Sequence, residues 1–445
     1  MNNSVSVLLV GIGGYGQNYV RELLTNTVRD DYHITGIVDP HADKSSLVNM
    51  VKEKGIPVYK SMEEFYQDKR ADYVCIASPI QFHARQTIKA LENGATVLCE
   101  KPLAPTIQEA HEMLRAQEAV GKEVGIAYQW SFSKAIQSLK KDIIEGVLGK
   151  PRRLKTVVLW PRDYKYYNRN NWAGKIKDSS GQWILDSVAS NATAHYLHNM
   201  FYVLGRKIED SALPLSLEAE LYRANKIENY DTIAARIISE DNVELLFLAT
   251  HASRENIDPM FSYEFEKGTV CFDQNKDQLI TARFRDGREK IYGNPFDGPF
   301  EKIWIMLDAA RDQKPAPCGI KATFSHLMAV NGIQEAAEIV DFPENLLRYL
   351  RDEEGNESAV FVEGLSEVLL KAYKEWKLPH ELGVDWRRKQ ENLCLLIMSA
   401  FQKRGNKYIK NTQTNTIFKL DIDIFSILQC VHSNIGVQFV DVFCF

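Results

Sequence analysis

Residues Val5 to Gly16 read Val-Ser-Val-Leu-Leu-Val-Gly-Ile-Gly-Gly-Tyr-Gly, an apolar run that stops abruptly on glycine. Such a run is a strand buried on both faces, which a sheet covered by helices on each side provides. Gly11, Gly13 and Gly16 have the spacing G-x-G-x-x-G, and a helical pattern from Tyr15 to Leu24 follows at once. Gly11 permits the tight turn, and Gly13 lets backbone approach a pyrophosphate. Gly16 lets the helix pack closely on the strand, with the helix N-terminus facing the phosphate charge. Ile12 and Tyr15 stand in the same turn. A second apolar run, His33 to Val38, ends in Asp39. That is about twenty residues past the last glycine, where a carboxylate would hold the two ribose hydroxyls of NAD. Pro40, rather than an arginine, stands beside Asp39, so NAD is the expected cofactor in preference to NADP.

Alternation of strands and helices persists. Strand patterns at Asp72–Ala77, Ala95–Cys99 and Val124–Ala127 are separated by helical patterns that include Met62–Gln67 and Thr106–Val120. This implies a parallel, doubly wound sheet whose ligands gather beyond the carboxyl ends of the strands, where Gly11, Asp39, Pro79 and Lys101 all fall. From Ser131 the texture changes. After the helix Lys134–Glu145 and the strand Arg153–Trp160, a polar, aromatic connection runs from Pro161 to Gln182, too long for a plain connector. A helix at Asn191–Leu204 precedes grouped β-rich runs between Leu217 and Tyr292; helices return at Phe300–Arg311, Phe324–Val340 and Val360–Lys377.

The expected fold class is therefore α/β, with a Rossmann doubly wound parallel sheet over 1–127. Over 128–385 an α+β domain built on a largely antiparallel open sheet is expected, and 386–445 is an atypical C-terminal tail. That tail has no proline and three of the seven cysteines. Its β-prone apolar segments read either as a strand-rich extension for oligomer contacts or as a tail with no selected fold.

Composition narrows the partners. Against 54 basic residues stand 59 acidic ones, a net charge of −5, which argues against nucleic acid or an anionic membrane. No apolar run approaches the ~18 residues that span a bilayer. No basic-then-apolar leader precedes the first strand, and the cysteines form no C-x-x-C pair, as expected for reduced thiols in a cytoplasm.

Chemistry concentrates in three places. Glu100-Lys101-Pro102 follows a strand whose end points at the nucleotide site. A lysine is ordinarily too basic to accept a hydroxyl proton, with a pKa of ~10.4, but desolvation and a positive nicotinamide nearby would lower it. Asp186 stands at the entry to a helix that carries His195 and His198 on one face. The dull alternatives are a helix-entry acid and core histidines; a metal site would need a further ligand, and none is spaced for it, so no metal is expected. In the stretch Trp160 to Lys175, rings interleave with Arg, Asn and Lys, among them Arg162, Tyr167 and Trp172. Flat rings stack on sugar faces while guanidinium and amide donors reach hydroxyls. A solvated loop with a few packed rings is the bland reading.

With Gly11-x-Gly13-x-x-Gly16, Asp39, Ser78-Pro79-x-x-x-His83, Glu100-Lys101-Pro102 and Asp186 before a histidine-bearing helix, the chain resembles the Gfo/Idh/MocA oxidoreductases over about 4–385. The resemblance implies that Lys101 relays the proton, assisted by Asp186 and His195. It also implies that Ser78, Pro79, His83 and Glu100 border the cofactor. Substrate would meet Lys101, Gln129, Arg162, Tyr167, Trp172, Asp186 and His195, and the open sheet would mediate a homo-dimer or tetramer. Two departures stand out: Ser190 occupies the position four after Asp186, where the family commonly has histidine, and Trp130 stands where arginine is frequent.

The function expected is NAD-dependent hydride transfer from a secondary hydroxyl of a sugar, sugar acid or cyclitol. The alternatives are an NAD-dependent glycoside hydrolase working by transient C3 oxidation and elimination, and a dinucleotide-dependent sensor without turnover.

Overall fold

The computed structural model describes residues 4–384, Trp386 and the pair 396–397. The expectations for the tail otherwise fall outside the described residues. Six strands, β1 (Val5–Val10), β2 (Tyr32–Val38), β3 (Val58–Tyr59), β4 (Tyr73–Ile76), β5 (Thr96–Cys99) and β6 (Val124–Ile126), form one sheet in the order β3-β2-β1-β4-β5-β6. Every pairing in it is parallel. Strand order reverses between β1 and β4, and the crevice beyond their carboxyl ends is where such a sheet takes a ligand. β1, β4, β5 and β6 are buried almost throughout, which explains their lack of polar alternation.

A second sheet holds β7 (Pro151–Leu159), β8 (Pro214–Arg223), β9 (Thr232–Ser239), β10 (Glu244–Thr250), β11 (Ile257–Phe265), β12 (Gly268–Asp273), β13 (Ile280–Phe284), β14 (Glu289–Gly293) and β15 (Ile339–Asp341). Their order is β14-β13-β12-β11-β7-β10-β9-β8-β15, and residues 396–397 pair with β8. The sheet is largely antiparallel; β7–β10 and β8–β15 are the parallel pairs. On one face, Val157, Leu159, Leu246 and Leu248 pack with Leu365, Leu369, Ala372 and Leu378. The helix Leu365–Glu375 thus covers the middle of that face, each buried leucine stabilising the contact by about 1.5–3 kcal/mol. The opposite face meets the helix Ala194–Val203, where Asn199 Nδ2 donates to the Tyr263 hydroxyl at 3.1 Å.

Three segments depart from the sequence expectation. The helix expected over Phe324–Val340 is Ile320–Ala336, and Ile339–Asp341 is strand β15. The helix expected over Val360–Lys377 is a strand, β17 (Glu357–Val362), followed by the helix; β17 pairs with β16 (Leu347–Arg351) in a separate hairpin. Its alternating burial is a strand signal that the adjoining helical period masks. The helix expected from Asn191 begins instead as a π-helical turn, Val188–Ala192, and becomes α-helical over Ala194–Val203.

The helix Glu301–Asp312 crosses back onto the first sheet. The Tyr73 hydroxyl donates to the Ile303 carbonyl at 3.2 Å, and Trp304 Nε1 donates to Glu22 at 3.0 Å. Among the described residues no helix is long and apolar enough to cross a membrane, and Cys75, Cys99, Cys271 and Cys318 are unpaired.

Candidate active site

One cleft of about 1300 Å³ runs from the glycine turn past the ends of β4 and β5 to the helix carrying His195. At its first end the three glycines divide the work. A Cβ on Gly11 would lie 2.9 Å from the Ala77 backbone, and one on Gly16 would lie 2.1 Å from the Gly11 carbonyl oxygen. A Cβ on Gly13 would meet nothing within 4 Å, because that position faces the cleft. Strand, turn and helix are therefore locked together while Gly13 leaves open the approach a pyrophosphate needs. Ile12 does not line the cleft. Its side chain is buried beneath the turn, and its N–H donates to Asp39 Oδ2 at 2.9 Å. Asp39 Oδ1 accepts the His41 N–H at 2.8 Å. Each carboxylate oxygen keeps a lone pair for a ribose hydroxyl. Glycine turn, helix N-terminus and Asp39 together fit NAD.

Tyr15, Ser78, Pro79, His83, Glu100 and Lys101 all border the same cleft. His83 braces it from behind: Nδ1 lies 2.8 Å from the Pro102 carbonyl oxygen and Nε2 lies 2.9 Å from that of Ser78. The ring thereby ties the turn after β4 to the turn after β5, and burial lowers its pKa. Glu100 is equally committed. Its Oε1 accepts the Tyr19 hydroxyl at 2.6 Å and Lys302 Nζ at 2.5 Å, with the Lys302 side chain 1% exposed. Lys302 comes from the helix Glu301–Asp312, so the cofactor end of the cleft is completed by a distant part of the chain.

Lys101 is the centre of the site. Its Nζ donates to the main-chain oxygen of Asn191 at 2.6 Å and to Asn191 Oδ1 at 2.7 Å. Burial, which penalises the ammonium, brings its pKa down to about 8, although Glu100 and Asp186 pull the other way. Asp186 does not touch Lys101. Its Oδ2 accepts the Gly174 N–H at 2.6 Å and its Oδ1 accepts Asn191 Nδ2 at 2.7 Å. Burial raises its pKa against these bonds. Asp186 is thus linked to Lys101 by hydrogen bonds through Asn191 and by its charge directly. Leu185, just before it, has φ +53°, a left-handed backbone costing about 1–3 kcal/mol that the surroundings hold in place.

Asn191 was not among the sequence candidates. Attention to the position four after Asp186 finds Ser190, whose hydroxyl donates to the Leu185 carbonyl at 2.7 Å. The π turn inserts one residue per turn, so the side chain that meets Lys101 is the fifth after Asp186. His195 lines the cleft too, with Nδ1 buried and without a hydrogen-bond partner among the described residues. Burial, then the Lys101 charge, drives its pKa well below the usual imidazole value, so the ring is neutral. His198 points elsewhere. It contacts Ser131 Oγ at 3.0 Å and Cys318 at 3.5 Å in the core, and among the described residues no His, Cys, Asp and Glu side chains gather as a metal site requires.

At the far end Gln129, Arg162 and Trp172 line the cleft, joined by Tyr166, Arg169 and Asn170. Tyr167 does not. The short helix Tyr164–Asn168 turns it inward, where its hydroxyl lies 3.0 Å from His251 Nδ1, and Tyr166 takes the place expected for it. Trp130, the other departure, is buried among Tyr196, Phe261, Phe272 and Phe296 rather than facing the cleft.

Residues 5–128 match the Gfo/Idh/MocA family, described as an oxidoreductase family with an NAD-binding Rossmann fold. The chain is 25% identical over 192 residues to the 2,7-anhydro-N-acetylneuraminate hydratase of Escherichia coli (strain K12), covering 43% of this chain and 46% of that protein. It is 26% identical over 151 residues to the inositol 2-dehydrogenase of Corynebacterium glutamicum (strain R), covering 34% and 44%. The matched segments thus span less than half the length of these curated relatives. In fold, the chain is similar to the WlbA dehydrogenase from Bordetella pertussis, crystallised with NADH and UDP-GlcNAcA. The TM-score is 0.63 at 21% identity, over 75% of this chain and 96% of that one. With its glycine turn and Asp39 arranged as described, the segment 5–128 matches the Gfo/Idh/MocA oxidoreductase family and carries that family's NAD-binding Rossmann fold.

Proposed function

We propose that the protein transfers hydride between NAD and a secondary hydroxyl of a sugar, sugar acid or cyclitol, with Lys101 as the proton acceptor. The observation that carries this reading is the hold of Asn191 on Lys101. A neutral amine has two N–H bonds, and Asn191 offers two oxygens, at 2.6 and 2.7 Å. With both N–H bonds so directed, the lone pair is left for a substrate hydroxyl. When bound, NAD supplies the hydride acceptor; Gly11, Gly13, Tyr15, Asp39, Ser78 and Pro79 would hold it.

Oxidation breaks the substrate O–H bond, forms an N–H bond on Lys101 and converts C–O to C=O as the C–H electron pair departs. Asn191 cannot itself take the proton, so it orients the amine and Asp186 orients Asn191. His195, neutral and lining the same cleft, would hydrogen-bond the same hydroxyl. Relatives named as inositol 2-dehydrogenases support this reaction class. The test is a panel of sugars, sugar acids and cyclitols incubated with NAD; absence of reduced cofactor across the panel, at saturating NAD, overturns the reading.

A second reading has a specific observation in its favour, namely relatives named as 2,7-anhydro-N-acetylneuraminate hydratases. In that reading oxidation is transient and acidifies a neighbouring C–H bond, so that elimination of a C–O bond follows and the cofactor is restored. Aryl glycosides distinguish the two: release of aglycone without accumulating NADH favours elimination.

A further inference from the structure

The substrate end of the cleft carries two guanidinium groups that no carboxylate touches among the described residues, Asp186 acting on Arg169 only from a distance. Arg162 and Arg169 both line it and both sit against one ring, their Cζ atoms 5.0 and 3.6 Å from the centre of Tyr166. Arg169 also lies 5.2 Å from the Trp172 ring centre, so its plane is held between aromatic neighbours. Neither arginine makes an ion pair among the described residues. Their bonds go to carbonyls: Arg162 Nη1 donates to Pro161 at 3.2 Å, and Arg169 Nη1 donates to Tyr166. Arg162 Nε is buried and has no partner among the described residues.

The nearby carboxylates are spoken for. Asp163 accepts the Tyr166 N–H at 2.8 Å, capping the short helix. Asp258 accepts Trp160 Nε1 at 2.8 Å, and Asp186 is engaged by Gly174 and Asn191, feeling the Arg169 charge without pairing to it. Glu100 is paired with Lys302. Two like charges beside one ring repel, and burial of a guanidinium N–H without an acceptor costs free energy. An anion with two or more oxygens between them relieves both, because the planar fork of arginine matches carboxylate and phosphate oxygens.

We infer that the substrate is an anionic sugar whose carboxylate or phosphate ester is gripped by Arg162 and Arg169 while its hydroxyl meets Lys101. This rests on the hydride-transfer reading and names its substrate class. The ring of Tyr166 and that of Trp172 would border the sugar, and the two arginines would select its acid group over a neutral hydroxymethyl.

The test measures binding and turnover separately on matched sets of aldohexoses: the neutral sugar, its uronate, its aldonate and its 6-phosphate. Binding is titrated calorimetrically to the NADH-loaded protein, and turnover is followed with NAD. At least one acid should bind ~10-fold or more tighter than its neutral counterpart, as charge-assisted hydrogen bonds provide. Arg169→Ala, at an exposed position, and Arg162→Ala should each reduce that ratio by ~10-fold. Raising the salt concentration should weaken the acid and not the neutral sugar. If no acid binds tighter than its neutral partner, or the ratio survives both substitutions, the inference is overturned. Tight binding of the phosphate esters alone assigns the site to phosphate, and of the uronates or aldonates alone to carboxylate. An acid that binds tightly yet yields no reduced cofactor overturns hydride transfer and leaves anion recognition standing.

Discussion

Lys101 Nζ lies 2.6 Å from the main-chain oxygen and 2.7 Å from the side-chain oxygen of Asn191, which in turn donates to Asp186 at 2.7 Å. The lysine is thus aimed by a residue that cannot titrate; Asp186 is hydrogen-bonded to that amide rather than to Lys101, and its charge favours the ammonium from a distance. The pH behaviour of the reaction should accordingly report Lys101. Its pKa is about 8, and the neutral amine is the working base. The rate constant kcat/KM for oxidation should therefore rise about tenfold per pH unit below that value and level off above it. In the reduction direction the dependence inverts. A profile flat between pH 6 and 9, with chemistry limiting, would contradict the assignment.

Lys101→Ala should spare NAD binding and lower turnover by ~10²–10⁴-fold, the usual contribution of a positioned base. Asn191→Ala is more diagnostic. It removes an acceptor that favours the ammonium and strips Asp186 of a donor that favours its ionised form. Both changes push the Lys101 midpoint below 8, so the profile should shift to lower pH while turnover falls. Pre-steady-state rates across pH check both effects.

Lys302→Met should destabilise the fold by about 3–5 kcal/mol, because Glu100 is left as a buried charge without its cation. The double substitution Glu100→Gln with Lys302→Met should recover much of the loss, since no charge then remains unpaired. Urea denaturation midpoints of the two variants give the comparison; equal stability would mean the pair contributes nothing.

Gly13→Ala and Gly16→Ala should fail differently. A methyl at Gly16 meets the Gly11 carbonyl oxygen at 2.1 Å, so this variant should lose about 1–3 kcal/mol of stability. A methyl at Gly13 meets no protein atom within 4 Å. That variant should keep its stability to within about 0.5 kcal/mol and lose NAD affinity instead. Thermal unfolding and cofactor titration separate the two outcomes.

Asp39→Asn preserves an acceptor for the Ile12 N–H and removes the charge that repels a 2′-phosphate. Lys44 and Lys60 line the cleft on the same side. The NAD-to-NADP affinity ratio should fall by at least ~10-fold. Comparable affinity for both cofactors in the unaltered protein would refute the preference for NAD.

Much of the cofactor end was legible in the chain because it is built locally. Gly11, Gly13 and Gly16 lie within one turn, and what each must do follows from strand, turn and helix meeting there. Asp39 was placed by counting because one crossover returns the chain to the neighbouring strand, β2 beside β1. Lys101 was legible as the residue after a buried strand end, and the aromatic connection lines the far end of the same cleft. Within that connection the sequence could not choose between Tyr166 and Tyr167. Side-chain direction there depends on one short helical turn.

The rest was decided by folding. Asn191 meets Lys101 across 90 positions, and only the π turn, an insertion with no composition of its own, brings it into line. Lys302 reaches Glu100 across 202 positions because its helix packs back on the first sheet. His195 and His198 share a face in a helical projection, yet one opens on the cleft and the other meets Ser131 and Cys318. Local spacing determines which groups a turn can present, since bond geometry acts over a few residues. Which groups then face one another is settled by packing between distant segments, and burial, once packed, sets the charge that Lys101 and His195 carry.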